Sequence, residues 1–257
     1  MQEFNRLKDT RHGRMLYNLH DQYIGRSIEL YGEFSEGETE LFDRIVQPGD
    51  VVLDVGANIG AHTIWMARKT GLQGAVLAFE PQRLVFQALC ANMALNSIVN
   101  AFCFNQAVGA EPGEIIVPVL DPNRMQNFGG LGLGTFNQGD PIPVIQLDTI
   151  PIGRCKLIKV DVEGMELGVL QGAQKLIERT KPVLYVENDR PDRSEELIKF
   201  IANMVNYDLY WHRPPLYNPN NFFKNPENVF GDIVSLNMLC VPKGVEVVGL
   251  PRVEIPA

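Results

Sequence analysis

The sequence has no run of apolar residues long enough to cross a membrane, since a spanning helix needs about 20 of them in succession. Residues 1–15 are polar and lack the apolar core of a secretory signal. These two absences predict a cytoplasmic protein with no integral membrane segment.

Cysteine is scarce and is not arranged for chemistry. The four cysteines, Cys90, Cys103, Cys155 and Cys240, include no C-x-x-C pair and no other metal-ligand spacing. Two of them, Cys90 and Cys240, lie in apolar runs, where a small thiol is usually a buried core residue. The sequence therefore predicts neither a disulfide framework nor a zinc site.

Positive charge is also in short supply, with a net charge of −8 at neutral pH. Nucleic-acid-binding proteins normally carry a basic patch or stripe, and here only residues 6–14 form a modest basic cluster. The N-P-P-Y-type motif of amino-methylating enzymes is missing as well. We therefore expect no nucleic-acid partner. No sequence feature indicates an oligomeric state.

Short apolar runs alternate with segments of helical periodicity through most of the chain, which predicts an α/β fold with an open, mostly parallel sheet covered on both sides. The expected strands are 51–55, 75–79, 101–105, 157–161, 183–187, 207–211 and 234–241. The expected helices are 36–45, 61–69, 84–95, 166–177 and 194–204. Two extra strands, 115–120 and 142–147, predict a β insertion over residues 110–154. We expect one domain over residues 1–257, with residues 1–47 as a cap or lid.

A glycine-containing loop follows the first strand of the alternating region and opens a helix. Its sequence over residues 54–60 is D-V-G-A-N-I-G. Glycines let a backbone turn sharply and approach a ligand closely. Because ligands of open α/β sheets bind outside the carboxyl ends of the strands, this loop is the expected cofactor site.

The residues around this loop favour an adenosyl ligand with positive charge. A dinucleotide fingerprint would need glycines where Asn58 and Ala61 stand, and no P-loop Lys-Ser/Thr pair is present. An acid at Asp54 suits a cationic, amine-bearing ligand such as S-adenosylmethionine. Glu80, at the end of the second strand, is placed to accept the hydroxyls of a ribose.

Four stretches of the chain resemble the FkbM-type methyltransferases, a branch of the class I S-adenosylmethionine-dependent enzymes. They are D-V-G-A-N-I-G at 54–60, A-F-E-P at 78–81, I-K-V-D-V-E-G at 158–164 and V-L-Q-G-A at 169–173. The resemblance covers about residues 30–245 and implies a doubly wound, Rossmann-like sheet of about seven strands. It also implies methylation of a hydroxyl on a sugar, glycolipid or secondary metabolite, with a small molecule or glycan as the acceptor.

The resemblance also assigns cofactor contacts by position. It places Asp54, Gly56, Asn58 and Gly60 along the methionine portion of the cofactor, and Glu80 on the ribose. The remaining expected contacts are Ala57 and Pro81, Gln106 and Ala107 beside the adenine, and Glu36 in a lid segment that could fold over the cofactor. The lid segment has a second interpretation, because Ser35 followed by Glu38 matches a helix-capping box.

An alcohol acceptor must lose a proton, so a general base or a metal ion is expected beside the cofactor. Lys159 and Asp161 point to one face of their strand, and Asp161 or Glu163 is expected to orient or deprotonate the acceptor. The alternative for Glu163 is that it only favours the positive end of the next helix. Glu187 could join Asp161 in holding a divalent cation such as magnesium.

Two histidines are weaker candidates for the chemistry. His212 leads into an aromatic, asparagine-rich loop that suits a sugar-like acceptor, whereas His62 is expected to be structural. Two further functions stay open at this point, an NAD-linked oxidoreductase and a non-catalytic adenosyl-binding protein. Binding of NAD would favour the first, and absence of turnover would favour the second.

Overall fold

The computed structural model describes residues 3–132, 136–204 and 207–256, so residues 1 and 2 of the expected cap and 133–135 of the expected insertion lie outside it. The strands are β1 Asn5–Thr10, β2 Gly13–Asn18, β3 Val51–Val55, β4 Ala75–Phe79, β5 Ala101–Phe104, β6 Ala107–Val108, β7 Gly113–Val117, β8 Asp140–Ile145, β9 Leu157–Val160, β10 Val183–Glu187, β11 Tyr207–His212 and β12 Asn237–Pro242. The helices are α1 Ile24–Tyr31, α2 Glu36–Ile45, α3 Ala61–Thr70, α4 Arg83–Leu95, α5 Glu166–Gln171, α6 Gln174–Thr180 and α7 Pro191–Met204, with a 3-10 helix at Leu147–Thr149.

A seven-stranded sheet in the order β11-β12-β10-β9-β3-β4-β5 forms the centre of the fold. Five adjacent strands of this sheet, β10, β9, β3, β4 and β5, pair in parallel. The strand β12 runs antiparallel to both of its neighbours, β10 and β11. Leu53 on β3 pairs with Leu77 and Ile158. The run of parallel strands follows the order of a doubly wound fold, so the predicted mostly parallel α/β sheet is confirmed.

Both faces of the sheet are buried, which explains why its strands are mostly apolar. Leu53 and Ile158 face one core, which α5, α6 and α7 complete. Val52 and Leu157 face the opposite core, where α2 and α3 pack. Successive strand residues therefore supply the two cores in turn.

The amino-terminal segment contains more structure than the sequence indicated. A polar hairpin, β1–β2, and helix α1 precede the expected α2. The burial of Met15 and Tyr17 on β2 explains the hairpin, since both pack with α1 and α4 in a third core. Tyr17 is thus a core residue, although the polar and charged residues around it in the sequence do not indicate that it is buried.

Two further expectations differ from the structure in detail. The single helix predicted over 166–177 is wrong, because the chain forms α5 and α6 with a break at Gly172. A Cβ on Gly172 would lie 2.0 Å from the carbonyl oxygen of Gly109, so the chain passes too closely there for a side chain. The two extra strands do pair as an antiparallel hairpin, β7–β8, in a small sheet separate from the main one.

None of the helices in the described ranges is both long enough and apolar enough to cross a bilayer.

Candidate active site

A deep cleft lies at the carboxyl ends of β3, β4, β9 and β10. It consists of two adjoining cavities of about 470 Å³ and 1540 Å³, the larger one open to solvent. Gly56, Glu80, Asp161 and Glu163 line both cavities, so they mark where the two meet. This is the edge at which ligands bind in doubly wound folds.

The loop after β3 is shaped by glycine at its first position. Gly56 has a φ of +80°, and a Cβ there would lie 1.7 Å from the carbonyl oxygen of Asp161. The amides of Gly56 and Ala57 both donate to the carbonyl oxygen of Phe79 at 3.0 Å. Gly56, Ala57 and Asn58 consequently form a tight wall of the larger cavity, open to a ligand.

Asp54 lies beneath this loop and is not among the described residues that line the cleft. It is only 1% exposed, and its Oδ2 accepts a hydrogen bond of 2.6 Å from Thr63. Its Oδ1 has no hydrogen-bond partner among the described residues and lies 3.6 Å from Lys159 Nζ. The side chain of Asp54 is turned into the protein, so the structure gives no support to a direct contact with the cofactor, and that contact stays a prediction.

Glu80 is buried where the two cavities meet. Its two carboxylate oxygens accept hydrogen bonds from the amides of Asn58, at 3.0 Å, and Gln82, at 2.8 Å. Burial raises the pKa of Glu80 to about 7, although these two amides oppose the rise. The charges of Asp161 and Asp54 add to it. Glu80 is thus a carboxyl group whose charge changes near neutral pH.

The smaller cavity is lined mainly by apolar residues. Gln106 and Ala107, at the start of β6, lie on its wall with Pro81. Leu131 and Met165 add apolar surface to the same cavity. The residues expected beside an adenine are therefore brought together, and no motif indicated the contribution of Leu131 or Met165.

Lys159 is a buried cation between two carboxylates. Its Nζ lies 3.0 Å from Asp161 Oδ2 and 3.6 Å from Asp54 Oδ1, and its side chain is 4% exposed. Burial acts to lower the pKa of Lys159, but the charges of Asp161 and Asp54 outweigh burial and raise it. Lys159 therefore stays charged and positions Asp161 rather than accepting a proton.

Asp161 of this ion pair also belongs to a cluster of three carboxylates. Asp161, Glu163 and Glu187 each place one oxygen within 4.8 Å of the others, an arrangement whose oxygen atoms could hold a divalent cation. Arg190 donates a hydrogen bond to Glu163. Burial raises the pKa of Glu163 to about 7, with the charge of Asp161 adding to the rise. Burial raises the pKa of Glu187 to about 11, and the charges of Asp161 and Glu163 add to the rise.

A second buried pair, which the sequence did not predict, faces the larger cavity from the other side. Glu38 on α2 and His62 on α3 line that cavity, and His62 Nε2 lies 3.2 Å from Glu38 Oε2. The two groups are close enough for an ion pair but are not aligned for a hydrogen bond. Glu38 also accepts hydrogen bonds from Ser35 at 2.9 Å and Asn237 at 3.2 Å.

The Ser35–Glu38 motif was the available signal for this pair, but the geometry differs from a capping box. Ser35 does precede α2 as its cap residue, yet its hydroxyl makes no capping hydrogen bond to the helix backbone. It donates to the Glu38 side chain instead. The motif therefore serves a buried polar network at the cleft as well as the start of a helix.

Besides Asp54, three predicted site residues lie away from the described walls of the cleft. Glu36 pairs with His12, whose Nε2 is 2.7 Å from its carboxylate, so the structure gives no support to a cofactor contact. His212 Nδ1 lies 2.8 Å from the hydroxyl of Tyr185. Gly60 precedes α3 and packs towards Leu89.

Comparison with known proteins agrees with this arrangement. A family model described as the methyltransferase FkbM domain matches residues 54–209, which is more than half of the chain. Methyltransferase 1 of Beauveria bassiana (strain ARSEF 2860) is 28% identical over 176 residues, 58% of this chain and 70% of that protein. Methyltransferase sdnD of Sordaria araneosa is 28% identical over 157 residues, 48% of this chain and 60% of that protein.

Solved structures of two methyltransferases superpose on part of this chain. Methyltransferase FkbM from Methylobacillus flagellatus KT superposes with a TM-score of 0.48 at 19% identity, over 78% of this chain and 50% of that one. SMU.1697c from Streptococcus mutans, in complex with SAH, gives a TM-score of 0.49 at 10% identity, over 80% and 96%. The chain thus spans half the length of the FkbM structure. On the match of the family model, the chain belongs to the FkbM family of S-adenosylmethionine-dependent methyltransferases.

Proposed function

We propose that this protein transfers the methyl group of S-adenosylmethionine to a hydroxyl oxygen of a small-molecule or glycan acceptor, such as a sugar, glycolipid or secondary metabolite. The observation that carries the proposal is the position of the carboxylates Asp161, Glu163 and Glu187. Asp161 and Glu163 line both cavities of the cleft, and Glu187 lines the larger one. The larger cavity leaves room for an acceptor beside the methyl donor.

The walls of the cleft suit the cofactor in the order that the family resemblance implies. Gly56, Ala57 and Asn58 would flank the methionine portion, and Glu80 would accept the ribose hydroxyls. Gln106 and Ala107 would border the adenine. The close approach of Gly56 to Asp161 supports this placement, because a side chain at that position would fill the space between the loop and β9.

S-adenosylmethionine supplies an electrophilic methyl group on a sulfonium, so the protein has to align an acceptor oxygen with it and remove the hydroxyl proton. Lys159 is engaged with Asp161, which leaves Asp161 as an orienting acceptor of the hydroxyl hydrogen bond. Glu187 holds its own proton at neutral pH, since its pKa is about 11. Glu163 is the best-suited base, because a pKa of about 7 matches the task.

The first experiment is calorimetric titration of S-adenosylmethionine and NAD into the purified protein, with Glu80→Gln and Glu40→Gln variants. Glu40 lies exposed on α2 and serves as the matched control. We expect S-adenosylmethionine to bind the wild type and Glu40→Gln alike, and Glu80→Gln to bind it at least tenfold more weakly. Binding of NAD in its place would contradict the proposal.

The second experiment measures formation of S-adenosylhomocysteine with hydroxylated sugars, glycolipids and polyketides as acceptors. Each acceptor is tested with magnesium and with EDTA. We expect Glu163→Gln to lower kcat by a factor on the order of 100. We also expect EDTA to leave the turnover of the wild type unchanged. Loss of turnover in EDTA would instead assign the three carboxylates to a metal ion. Cofactor binding without turnover on any acceptor would favour a non-catalytic binding protein.

A further inference from the structure

His62 is a buried histidine on the larger cavity that the proposed methyl transfer does not use. It lies in the first turn of α3 and is 7% exposed. It lines the larger cavity and is not among the described residues that line the smaller one. Its Nε2 is shielded from solvent and makes no hydrogen bond with the described residues. Because buried polar atoms nearly always have a hydrogen-bond partner, packing alone does not explain this residue.

Glu38 holds one edge of the imidazole ring. Its Oε1 accepts the hydrogen bonds from Ser35 and Asn237, which leaves Oε2 beside His62 Nε2 at 3.2 Å. Glu38 is ionised at neutral pH, since its pKa is lowered to about 2. A carboxylate beside one ring nitrogen favours the proton on that nitrogen. The neutral ring therefore carries its proton on Nε2 and has its lone pair on Nδ1.

Two aromatic rings fix the direction of the imidazole. Phe42 meets it edge-on, with a centroid distance of 5.6 Å and an angle of 83° between the rings. Phe34, which also lines the larger cavity, lies at 6.0 Å. Nδ1 makes no hydrogen bond with the described residues and is not one of the shielded atoms that lack a partner, so it is open to the cavity. His62 thus offers a hydrogen-bond acceptor to a molecule that occupies this cavity.

The order of the strands separates this pair from the adenosyl end of the cleft. Glu80, the residue expected at the ribose, directly follows β4, whereas Asn237, which binds Glu38, begins β12. The strands β3, β9 and β10 lie between them in the sheet. Glu38 is therefore displaced from the ribose position towards the part of the larger cavity that remains for an acceptor.

The two candidate contacts of an acceptor differ in their place relative to the cofactor. Glu163 lines both cavities, so it adjoins the space that the adenosyl group would fill, whereas His62 is found on the larger cavity alone. The hydroxyl that receives the methyl group therefore belongs at Glu163. The lone pair of His62 is left for a different hydrogen-bond donor of the same molecule.

Resting on the proposed methyl transfer, we infer that the acceptor carries a second hydroxyl, which donates a hydrogen bond to His62 Nδ1 while the hydroxyl to be methylated faces Glu163. His62 binds and orients the acceptor, and Glu38 positions the imidazole through its Nε2 edge. The proton of the methylated hydroxyl still goes to Glu163. Two contacts hold the acceptor at two points, so the cavity selects polyhydroxylated compounds over compounds with a single hydroxyl.

The first test needs no substitution in the protein under study. Proton–nitrogen correlation NMR of the imidazole rings, at pH 8 and with saturating S-adenosylhomocysteine, identifies the protonated nitrogen of His62, and the spectrum of His62→Asn assigns the signal. We expect the proton on Nε2. The Nδ1 signal should move when cyclohexane-1,2-diol or cyclohexane-1,3-diol is added and stay in place with cyclohexanol. A proton on Nδ1, or a signal that neither diol moves, would overturn the inference.

The second test compares the Kd values of the same three probes by ligand-observed NMR. One neutral hydrogen bond is worth about three- to tenfold in affinity, so we expect the better diol to bind the wild type more tightly than cyclohexanol by roughly that factor. His62→Leu should abolish the advantage. His62→Asn keeps an oxygen acceptor near the position of Nδ1 and should retain most of it. His20→Leu, a histidine outside the described lining, is the matched control and should not change it.

The outcomes separate this inference from the proposed function. If S-adenosylmethionine and S-adenosylhomocysteine fail to bind the wild type, the proposed function fails. If they bind but neither diol binds more tightly than cyclohexanol, or the advantage survives in His62→Leu, only the inferred second hydroxyl is overturned. A His62→Leu protein that loses S-adenosylhomocysteine binding while it stays folded would assign His62 to the cofactor and overturn the inference too. If His62→Leu does not fold, the wild-type NMR shifts decide.

Discussion

Lys159 Nζ lies 3.0 Å from Asp161 Oδ2 in the interior of the protein, with Asp54 on its other side. Replacing Lys159 with methionine removes the cation and leaves two carboxylates uncompensated. Because breaking a buried ion pair costs about 3–5 kcal/mol, we expect Lys159→Met to lower the free energy of unfolding by that order. Urea denaturation of the cofactor-free protein measures it.

Lys156, which is exposed just before β9, is the matched control, and Lys156→Met should change stability by less than about 0.5 kcal/mol. Adding Asp161→Asn to Lys159→Met should recover part of the lost free energy of unfolding. One of the two carboxylates that no longer face a cation is then neutral. A Lys159→Met protein as stable as the wild type but inactive would show that Lys159 acts on the substrate.

Glu38 is the acidic half of the second buried pair. Burial alone would raise its pKa, but the nearby His62, with help from Lys159 and Ser35, lowers the pKa of Glu38 to about 2. A lowered pKa stabilises the fold above the unfolded value near 4.5, and the stabilisation is lost as pH falls towards 2. Glu38→Gln should therefore cost about 3 kcal/mol at pH 7.

The difference between wild type and Glu38→Gln should narrow as the pH of the denaturation experiment falls from 5 towards 3. Glu40→Gln, on the same helix but exposed, should show no difference at either end of the range. A stability difference that is the same at all pH values would mean that Glu38→Gln destabilises the protein through altered packing and not through the lost charge.

Gly56 can be tested against a glycine of similar backbone but different surroundings. Gly56 has φ +80° and Gly49 has φ +90°, yet a Cβ on Gly49 meets no atom within 4 Å. Gly49→Ala should lower the free energy of unfolding by about 1–2 kcal/mol, which is the cost of a left-handed backbone for a residue with a Cβ. This variant should keep S-adenosylmethionine binding. Gly56→Ala adds a clash with Asp161, so we expect a larger loss and no detectable binding by calorimetry. Equal effects of the two changes would contradict this account.

The parts of the fold that sequence predicted well are those where local pattern and tertiary packing agree. Residues 51–55, 75–79 and 183–187 match their strands at both ends, because strands buried on both faces are mostly apolar and end at glycine or at charged residues. The hairpin β1–β2 was missed, since many of its side chains are exposed or half-buried and Met15 and Tyr17 are its buried apolar residues.

The candidate site divides in the same way. Gly56 and Glu80 were predicted from their position after a strand, which is a local property. The pairing of Glu38 with His62 depends on how α2 packs on α3, and no spacing along the chain indicates it. The inward turn of Asp54 towards Thr63 and Lys159 is likewise a consequence of packing, so a motif alone assigned it to the cofactor.

Glu80 provides a pH-dependent prediction that joins stability to cofactor binding. Its pKa is raised by burial from 4.5 to about 7, so the folded, cofactor-free protein holds this proton more tightly than the unfolded chain does. The sign of the linkage is that the folded state loses stability as pH rises from 4.5 to 7. Glu80→Gln lacks this loss, so its stability relative to wild type should improve by about 3 kcal/mol between pH 5 and pH 8.

Cofactor affinity should follow the opposite trend, because ribose hydroxyls donate their hydrogen bonds best to an ionised carboxylate. With a pKa of about 7, the ionised fraction of Glu80 rises about tenfold between pH 6 and pH 8. We therefore expect the Kd for S-adenosylmethionine to fall by up to that factor in wild type and to stay flat in Glu80→Gln, measured by calorimetry across that range. The charge of Glu163 changes over the same range in both proteins alike, so the difference between the two proteins isolates Glu80. Parallel pH profiles would mean that Glu80 does not receive the ribose.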